Sequence, residues 1–312
     1  MNYLIPLSLT APALPERRNP ALVYLSSLQP KGRRSMASSL EAIAKLFGFN
    51  LRTLPWHKLH YEHVQAVATK LSETLAPATV NKGLAAIRGT MKAAWRLELI
   101  SAEDYARVHD VRLMKGSRLP AGRQLSEGEI FALFSTTSQD KSPAGIRDLA
   151  ILALSYAAGL RRAEVASLDI EQLKEEEDYI SIRLIGKGNK ERLVYLNNGG
   201  RDAVKTYLSI RGAEVGPLFY AGRKGGTLTQ GQGMTDQAIY GVLKKRAKEA
   251  GVDNVTPHDL RRTFVSNMLD LGIDLTTVSA LAGHANVQTT ARYDRRGEES
   301  KKKAAKALRI PI

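Results

Sequence analysis

Cysteine is absent from this 312-residue chain, which excludes disulfide frameworks, thiolate zinc sites, iron–sulfur clusters and cysteine nucleophiles. Long apolar runs are missing as well. Nothing approaches the roughly 18–20 residues of a membrane span, so no membrane contact is expected. Met1 to Pro15 has no positively charged segment ahead of its mildly apolar stretch and no clear cleavage site, and does not read as a signal peptide. Metal ligands are sparse. His57, His60 and His63 lie close in the chain, but on a helix His63 is rotated well away from His57. No phosphate-binding glycine loop of the nucleotide-hydrolase kind is present. The expectation is a soluble, cytoplasmic protein without metal or other cofactor.

Positive charge, by contrast, is plentiful. The chain has 46 Lys and Arg against 31 Asp and Glu, a net +15. Such an excess points to a polyanion partner, because every neutralised phosphate releases condensed counterions. A basic but inert surface is the bland alternative. Residues 1–120 carry 17 basic and 8 acidic residues, a net +9, so the shorter part is the more densely charged. Residues 113–123, rich in Gly, Pro and basic residues, read as a linker between a helical domain at 16–112 and a second domain at 124–297, with a tail at 298–312.

Apolar residues at helical spacing predict helices over 19–28, 35–47, 61–75 and 79–99. In the last, Val80, Leu84, Ile87, Met91 and Trp95 form one stripe, with Lys82, Arg88 and Lys92 on other faces. The second domain opens on Ser126 and Glu129, a capping box, and a helix over 146–158 ends at Gly159. Residues 179–185 and 192–196 read as two strands joined by a turn with Lys187 at its tip. The acidic run 174–178 reads as a solvated turn, and everything after Thr235 as helix. The fold class is therefore mainly α with a small antiparallel β-sheet.

Four groups of residues in the second domain could do chemistry together: Gly159-Leu160-Arg161 with Glu164; the Lys187 turn; His258 and Arg261, which share a helix face at i and i+3; and Gly283-His284 followed nine residues later by Tyr293. These types suit an attack on a phosphodiester. Two guanidinium groups clamp the phosphate as charge develops on its oxygens. A Tyr hydroxyl can be the nucleophile, with His or Arg easing loss of its proton, and a Lys can protonate the leaving oxygen. Singly, each group is also an ordinary cap, turn or packed aromatic.

In their order and spacing these residues resemble the tyrosine recombinases, the family of phage integrases and Xer-type recombinases. The match runs through Gly159 to Glu164, Gly186 to Arg192, His258 to Arg261 and Gly283 to Tyr293, and Pro77 to Asn81 resembles part of the family's helical core-binding domain. The resemblance implies that Arg161 and Arg261 hold the scissile phosphate, and that Lys187 is the general acid toward the 5′-hydroxyl. It further implies that His258 assists proton transfer, His284 donates a hydrogen bond to the phosphate, and Tyr293 attacks to give a 3′-phosphotyrosyl link. Glu164 falls where the family keeps an acidic residue that orients the site. Two positions depart from the common pattern: Arg262, where many members have His, and Ala282, where Leu is common.

The expected function is thus site-specific cutting and rejoining of double-stranded DNA at recombination sites, without metal or ATP. The expected assembly is a homo-tetramer on synapsed DNA and a monomer or weak oligomer when free. A type IB topoisomerase-like enzyme and a non-catalytic DNA-binding protein of the same fold are the alternatives. Candidate DNA contacts are Lys82, Arg88, Lys92, Arg223, Lys224, Tyr240, Lys244, Lys245, Lys248 and Arg262. The helix over 235–250 is expected against the major groove, and the tail to dock on a neighbouring protomer. About fifteen residues precede the helical domain, which leans toward a recombinase that acts on core sites alone.

Overall fold

A computed structural model describes residues 14–116, 122–185, 191–223, 225–284 and 286–294. Lys187, Lys224 and the tail at 298–312 lie outside the described residues. The chain divides into two compact units, 1–120 and 121–312.

The first unit is helical: α1 (Pro20–Ser26), α2 (Pro30–Leu46), α3 (Tyr61–Ser72), α4 (Pro77–Arg96) and α5 (Ala102–Asp110). Proline opens α1, α2 and α4, where its missing N–H would have had no helical partner anyway. Helix α4 is the axis, packed by the other four, and Val80, Leu84, Ile87 and Met91 along it are fully buried. Trp95 is not part of that stripe. Fifteen residues beyond Val80 it has drifted about 60° round a 3.6-residue helix. It is 41% exposed and stacks on Tyr105 of α5, ring centres 5.7 Å apart. The sequence reading missed α5 and began α2 five residues late, because Pro30 starts this helix rather than breaking it.

In the second unit, α6 (Glu127–Gln139) starts on the expected capping box, and α7 (Pro143–Ala157) runs through the core, its residues 150–154 all buried. After the short α8 (Arg162–Ala166) come β1 (Leu173–Glu175), β2 (Ile180–Ile185) and β3 (Glu191–Leu196). They form an antiparallel sheet in that order, with Ile182 opposite Val194. Lys174 and Glu175, expected in a turn, instead pair with Ser181 and Ile180 as an exposed edge strand. Helix α9 (Asn198–Arg211) follows, unforeseen because it opens on Asn-Gly-Gly. A second hairpin pairs β4 (Tyr220–Gly222) with β5 (Leu228–Gly233), whose glycines hide it from propensity. Then follow α10 (Asp236–Glu249), α11 (Pro257–Asp270), α12 (Leu275–Ala282) and α13 (Val287–Ala291). Arg246 of α10, buried, is held by Asp148 of α7 at 2.9 Å and by Asp140 at 2.7 Å.

Gly89 of α4 faces the Tyr24 ring so closely that a Cβ would lie 2.3 Å from it. Gly89→Ala should therefore destabilise the first unit by about 1–3 kcal/mol through overpacking, although Ala is the better helix former. Urea unfolding followed by Trp fluorescence measures this selectively, because both Trp residues, 56 and 95, lie in that unit.

Candidate active site

Helix α11 is anchored before it delivers anything. Asp259 accepts from the Thr256 N–H at 2.8 Å and the Thr256 hydroxyl at 2.7 Å, closing a capping box, while its other oxygen accepts from the Arg123 N–H. The first turn so fixed presents His258 and Arg261 on one face.

Arg261 is 3% exposed and sits between two helix ends. Its Nη1 donates to the carbonyl of Gly159, just past α7, at 2.6 Å, and its Nη2 to the carbonyl of Ala282, the last residue of α12. Both helices end at a glycine in the left-handed region, Gly159 at φ +60° and Gly283 at φ +62°. Each glycine turns the chain just before a candidate site residue, Arg161 after the first and His284 after the second. Neither position has room for a Cβ: Phe264 would lie 2.4 Å from one at Gly159, and the Arg192 guanidinium 2.6 Å from one at Gly283.

Arg161 caps α8. Glu164 accepts from its N–H and from its Nη1, both at 2.8 Å, and its Nη2 donates to the Gly283 carbonyl at 2.8 Å. Arg192, on β3, donates from Nη2 to Glu164 at 2.8 Å and from Nε to the Leu281 carbonyl at 3.3 Å. Three consecutive carbonyls at the end of α12, those of Leu281, Ala282 and Gly283, are thus each held by a different arginine.

Beyond this turn, His284 Nδ1 is hydrogen-bonded to the buried Thr290 hydroxyl at 2.7 Å, and its ring stacks on Tyr293 with centres 6.2 Å apart. The Tyr293 backbone N–H donates to Thr290 O. Its hydroxyl is hydrogen-bonded to His258 Nε2 at 3.2 Å, and Tyr293 is only 7% exposed. Five of the six expected catalytic residues, with Glu164, therefore gather around the end of α12. Lys187 is the sixth.

Electrostatics follow from this crowding of cations. Burial, then Arg161, push the Arg261 pKa down to about 9, which leaves it protonated at neutral pH. Burial and then Arg261 lower His258, and the same causes with Arg161 lower His284 to about 4. Both imidazoles are therefore neutral near pH 7. For Glu164 burial opposes ionisation, but hydrogen bonds from Arg192 and the Arg161 N–H outweigh it and hold the carboxyl below its ordinary range.

The expected DNA-contacting residues divide differently. Tyr240 and Lys244 of α10 lie beside Arg162, with Arg162 over the Tyr240 ring at 5.7 Å and Lys244 at 5.9 Å. Lys245 pairs with Glu249, Lys248 is exposed, and Arg223 donates to the Thr229 hydroxyl on the second hairpin. Lys82 and Lys92 are exposed on α4, whereas Arg88 is half-buried and donates to the Val111 carbonyl. Arg262 is buried, donates to the Gly122 carbonyl at 2.6 Å, and lies over the Tyr293 ring at 5.4 Å.

Sequence reasoning gave Arg192 no role. The available signal was its phase: on β3 it alternates with exposed Glu191 and Leu193 and shares the inward face of Val194 and Leu196.

Residues 123–299 match the phage integrase family. The tyrosine recombinase XerD of Lacticaseibacillus casei is 33% identical over 234 residues, 74% of this chain and 76% of that protein. The tyrosine recombinase XerC of Corynebacterium glutamicum is 28% identical over 275 residues, 87% and 82% of the two chains. Among solved structures, XerH site-specific recombinase bound to palindromic difH substrate has a TM-score of 0.66 at 18% identity, covering 94% of each chain. A lambda integrase dimer bound to a COC′ core site also has a TM-score of 0.66, at 14% identity, covering 95% of this chain and 97% of that one. The chain belongs to the phage integrase family of tyrosine recombinases. It is a site-specific DNA recombinase.

In the free protein the His258 imidazole should titrate below its ordinary 6.5 and that of His284 near 4, as read by NMR. The unfolded chain then binds more protons than the folded one between pH 6.5 and about 4, so stability should fall as pH drops through that window. His284→Asn should flatten the decline in melting temperature.

Proposed function

We propose that Tyr293 is the nucleophile of this recombinase and that Arg161, Arg261, His258, His284 and Lys187 serve it in the roles their chemistry suits. The observation that carries the reading is the Tyr293 hydroxyl on His258 Nε2 at 3.2 Å, beside two arginines that converge on one helix end. Arg161 and Arg261 hold the non-bridging oxygens of the scissile phosphodiester, their fixed charge matched to the negative charge that grows there. Neutral His258 takes the phenolic proton as Tyr293 Oη bonds to phosphorus, and the bond to the 5′-oxygen breaks. His284, with its Nδ1 on the Thr290 hydroxyl, turns Nε2–H toward the phosphate. Lys187 protonates the departing 5′-oxygen. The product is a 3′-phosphotyrosyl ester. Attack by a 5′-hydroxyl from a second strand reverses each step, and since one phosphate ester replaces another, no nucleotide has to be hydrolysed.

The partner in this reading is double-stranded DNA bearing specific recombination sites, gripped by a helical core-binding domain at 16–112 and a catalytic domain at 124–297. The active assembly is a homo-tetramer on synapsed DNA, and the free protein is a monomer or weak oligomer. Net charge +15, with Lys82, Lys92, Arg223, Lys244, Lys245 and Lys248 as phosphate and base-edge contacts, supports it.

A suicide substrate nicked beside the cleavage position traps the intermediate. The protein should form a covalent adduct with it, absent in Tyr293→Phe, while Arg161→Ala or Arg261→Ala should slow its formation by about 10²-fold or more. Relaxation of supercoiled DNA without strand exchange would point instead to a topoisomerase-like enzyme. Raising salt should weaken DNA binding steeply, as titrations followed by anisotropy measure, and leave the cleavage rate at saturating DNA far less changed; equal sensitivity of the two would count against the reading.

A further inference from the structure

We infer that Arg192 is a positioning residue for the cleavage reaction, acting through Glu164 and the last turn of α12 to set where Arg161 and His284 stand. The inference rests on the catalytic reading above and adds to it a residue without a role in phosphate binding.

Three observations carry it. The first is placement. Arg192 lies on the inward face of β3, and its side chain is only 13% exposed, against 43% for that of Arg161. A cation so enclosed is tolerated when paired and hydrogen-bonded, and its partner is the equally enclosed Glu164 carboxylate at 2.8 Å. The Glu164 oxygen that accepts from Arg192 also accepts from the Arg161 N–H, while its other oxygen accepts from Arg161 Nη1. The Arg161 fork is therefore aimed by a carboxylate whose own position Arg192 fixes.

The second is contact with Gly283. The Cζ, Nη1 and Nε atoms of Arg192 would lie 2.6, 2.7 and 2.8 Å from a Cβ there, so the guanidinium plane rests directly on the turn that delivers His284.

The third is the division of the α12 carbonyls. Arg261 and Arg161 hold those of Ala282 and Gly283, and both are called upon by a bound phosphate. Arg192 holds that of Leu281, and in this reading the phosphate makes no demand on it. It keeps the end of α12 in place while the other two share their donors with substrate.

The charged groups that face Glu164 are Arg161 at its own helix start, Arg192 from β3 and Arg261 from α11. Loss of Arg192 removes one of the hydrogen bonds that keep Glu164 ionised, so the acid side of the cleavage profile is the place to look.

Full-length protein, the nicked suicide substrate and single-turnover cleavage at saturating DNA test this across pH, with Arg192→Gln, Arg192→Lys, Glu164→Gln and the Arg192→Gln/Glu164→Gln double variant. The expected result is DNA affinity of the wild-type order with cleavage slowed by about 10–100-fold in Arg192→Gln. The acid limb should move to higher pH, Arg192→Lys should recover part of the rate, and the double variant should be little worse than Glu164→Gln alone. Wild-type cleavage by Arg192→Gln would overturn the inference. So would losses that multiply in the double variant with the acid limb unmoved, the signature of a residue that only supports the fold. If Arg192→Gln fails to melt cooperatively, Arg192→Lys, which retains the charge but not the fork, decides by the same rate and pH readouts. Absence of any adduct from the wild-type protein would overturn the Tyr293 reading itself, and with it the reaction that Arg192 serves.

Discussion

The second unit depends on the way positive charge is gathered at the end of one short helix. The last carbonyls of α12 carry the negative pole of its dipole, and Arg192, Arg261 and Arg161 approach from β3, α11 and the start of α8 to take one carbonyl each. Like charges this close repel. Glu164, bound by two of the three, and the helix end supply the compensation that lets them coexist. The arrangement brings together cations from elements that are distant in sequence, and it requires Gly283, since any side chain there would displace the Arg192 guanidinium.

That same cation field decides the state of the histidines. Burial and the neighbouring arginines disfavour imidazolium at His258 and His284, so each ring has one N–H and one lone-pair nitrogen at neutral pH. A neutral His258 can accept a proton from the phenol it touches, which a protonated one cannot. The arginines thus do two jobs with one charge: they are fixed donors, and they hold the neighbouring imidazoles in the neutral form.

How much of this was legible in the sequence depends on what kind of signal each residue leaves. Gly159-Leu160-Arg161, His258 with Arg261, and Gly283-His284 with Tyr293 could be read because a helix-ending glycine or an i, i+3 pair constrains direction locally, and their order matches a known family. The capping box at Ser126 and the buried stripe of α4 were legible for the same reason. Arg192 and Arg262 were not, since their partners are carbonyls, a carboxylate and a ring contributed by other elements. Strands β1, β4 and β5 carry too few branched or aromatic residues to announce themselves, and α9 begins on residues that ordinarily end a helix. Packing, not propensity, settled those.

Thr290 is a small residue with an outsized coupling effect. Its hydroxyl fixes the His284 ring, and its carbonyl receives the backbone N–H of Tyr293. Tyr293 and the imidazole beside it therefore share one mooring on the five-residue helix α13. A shift of that helix cannot withdraw the tyrosine and leave the histidine as it was. Tyr293 and His284 are tied to the same residue, so what moves Thr290 moves both.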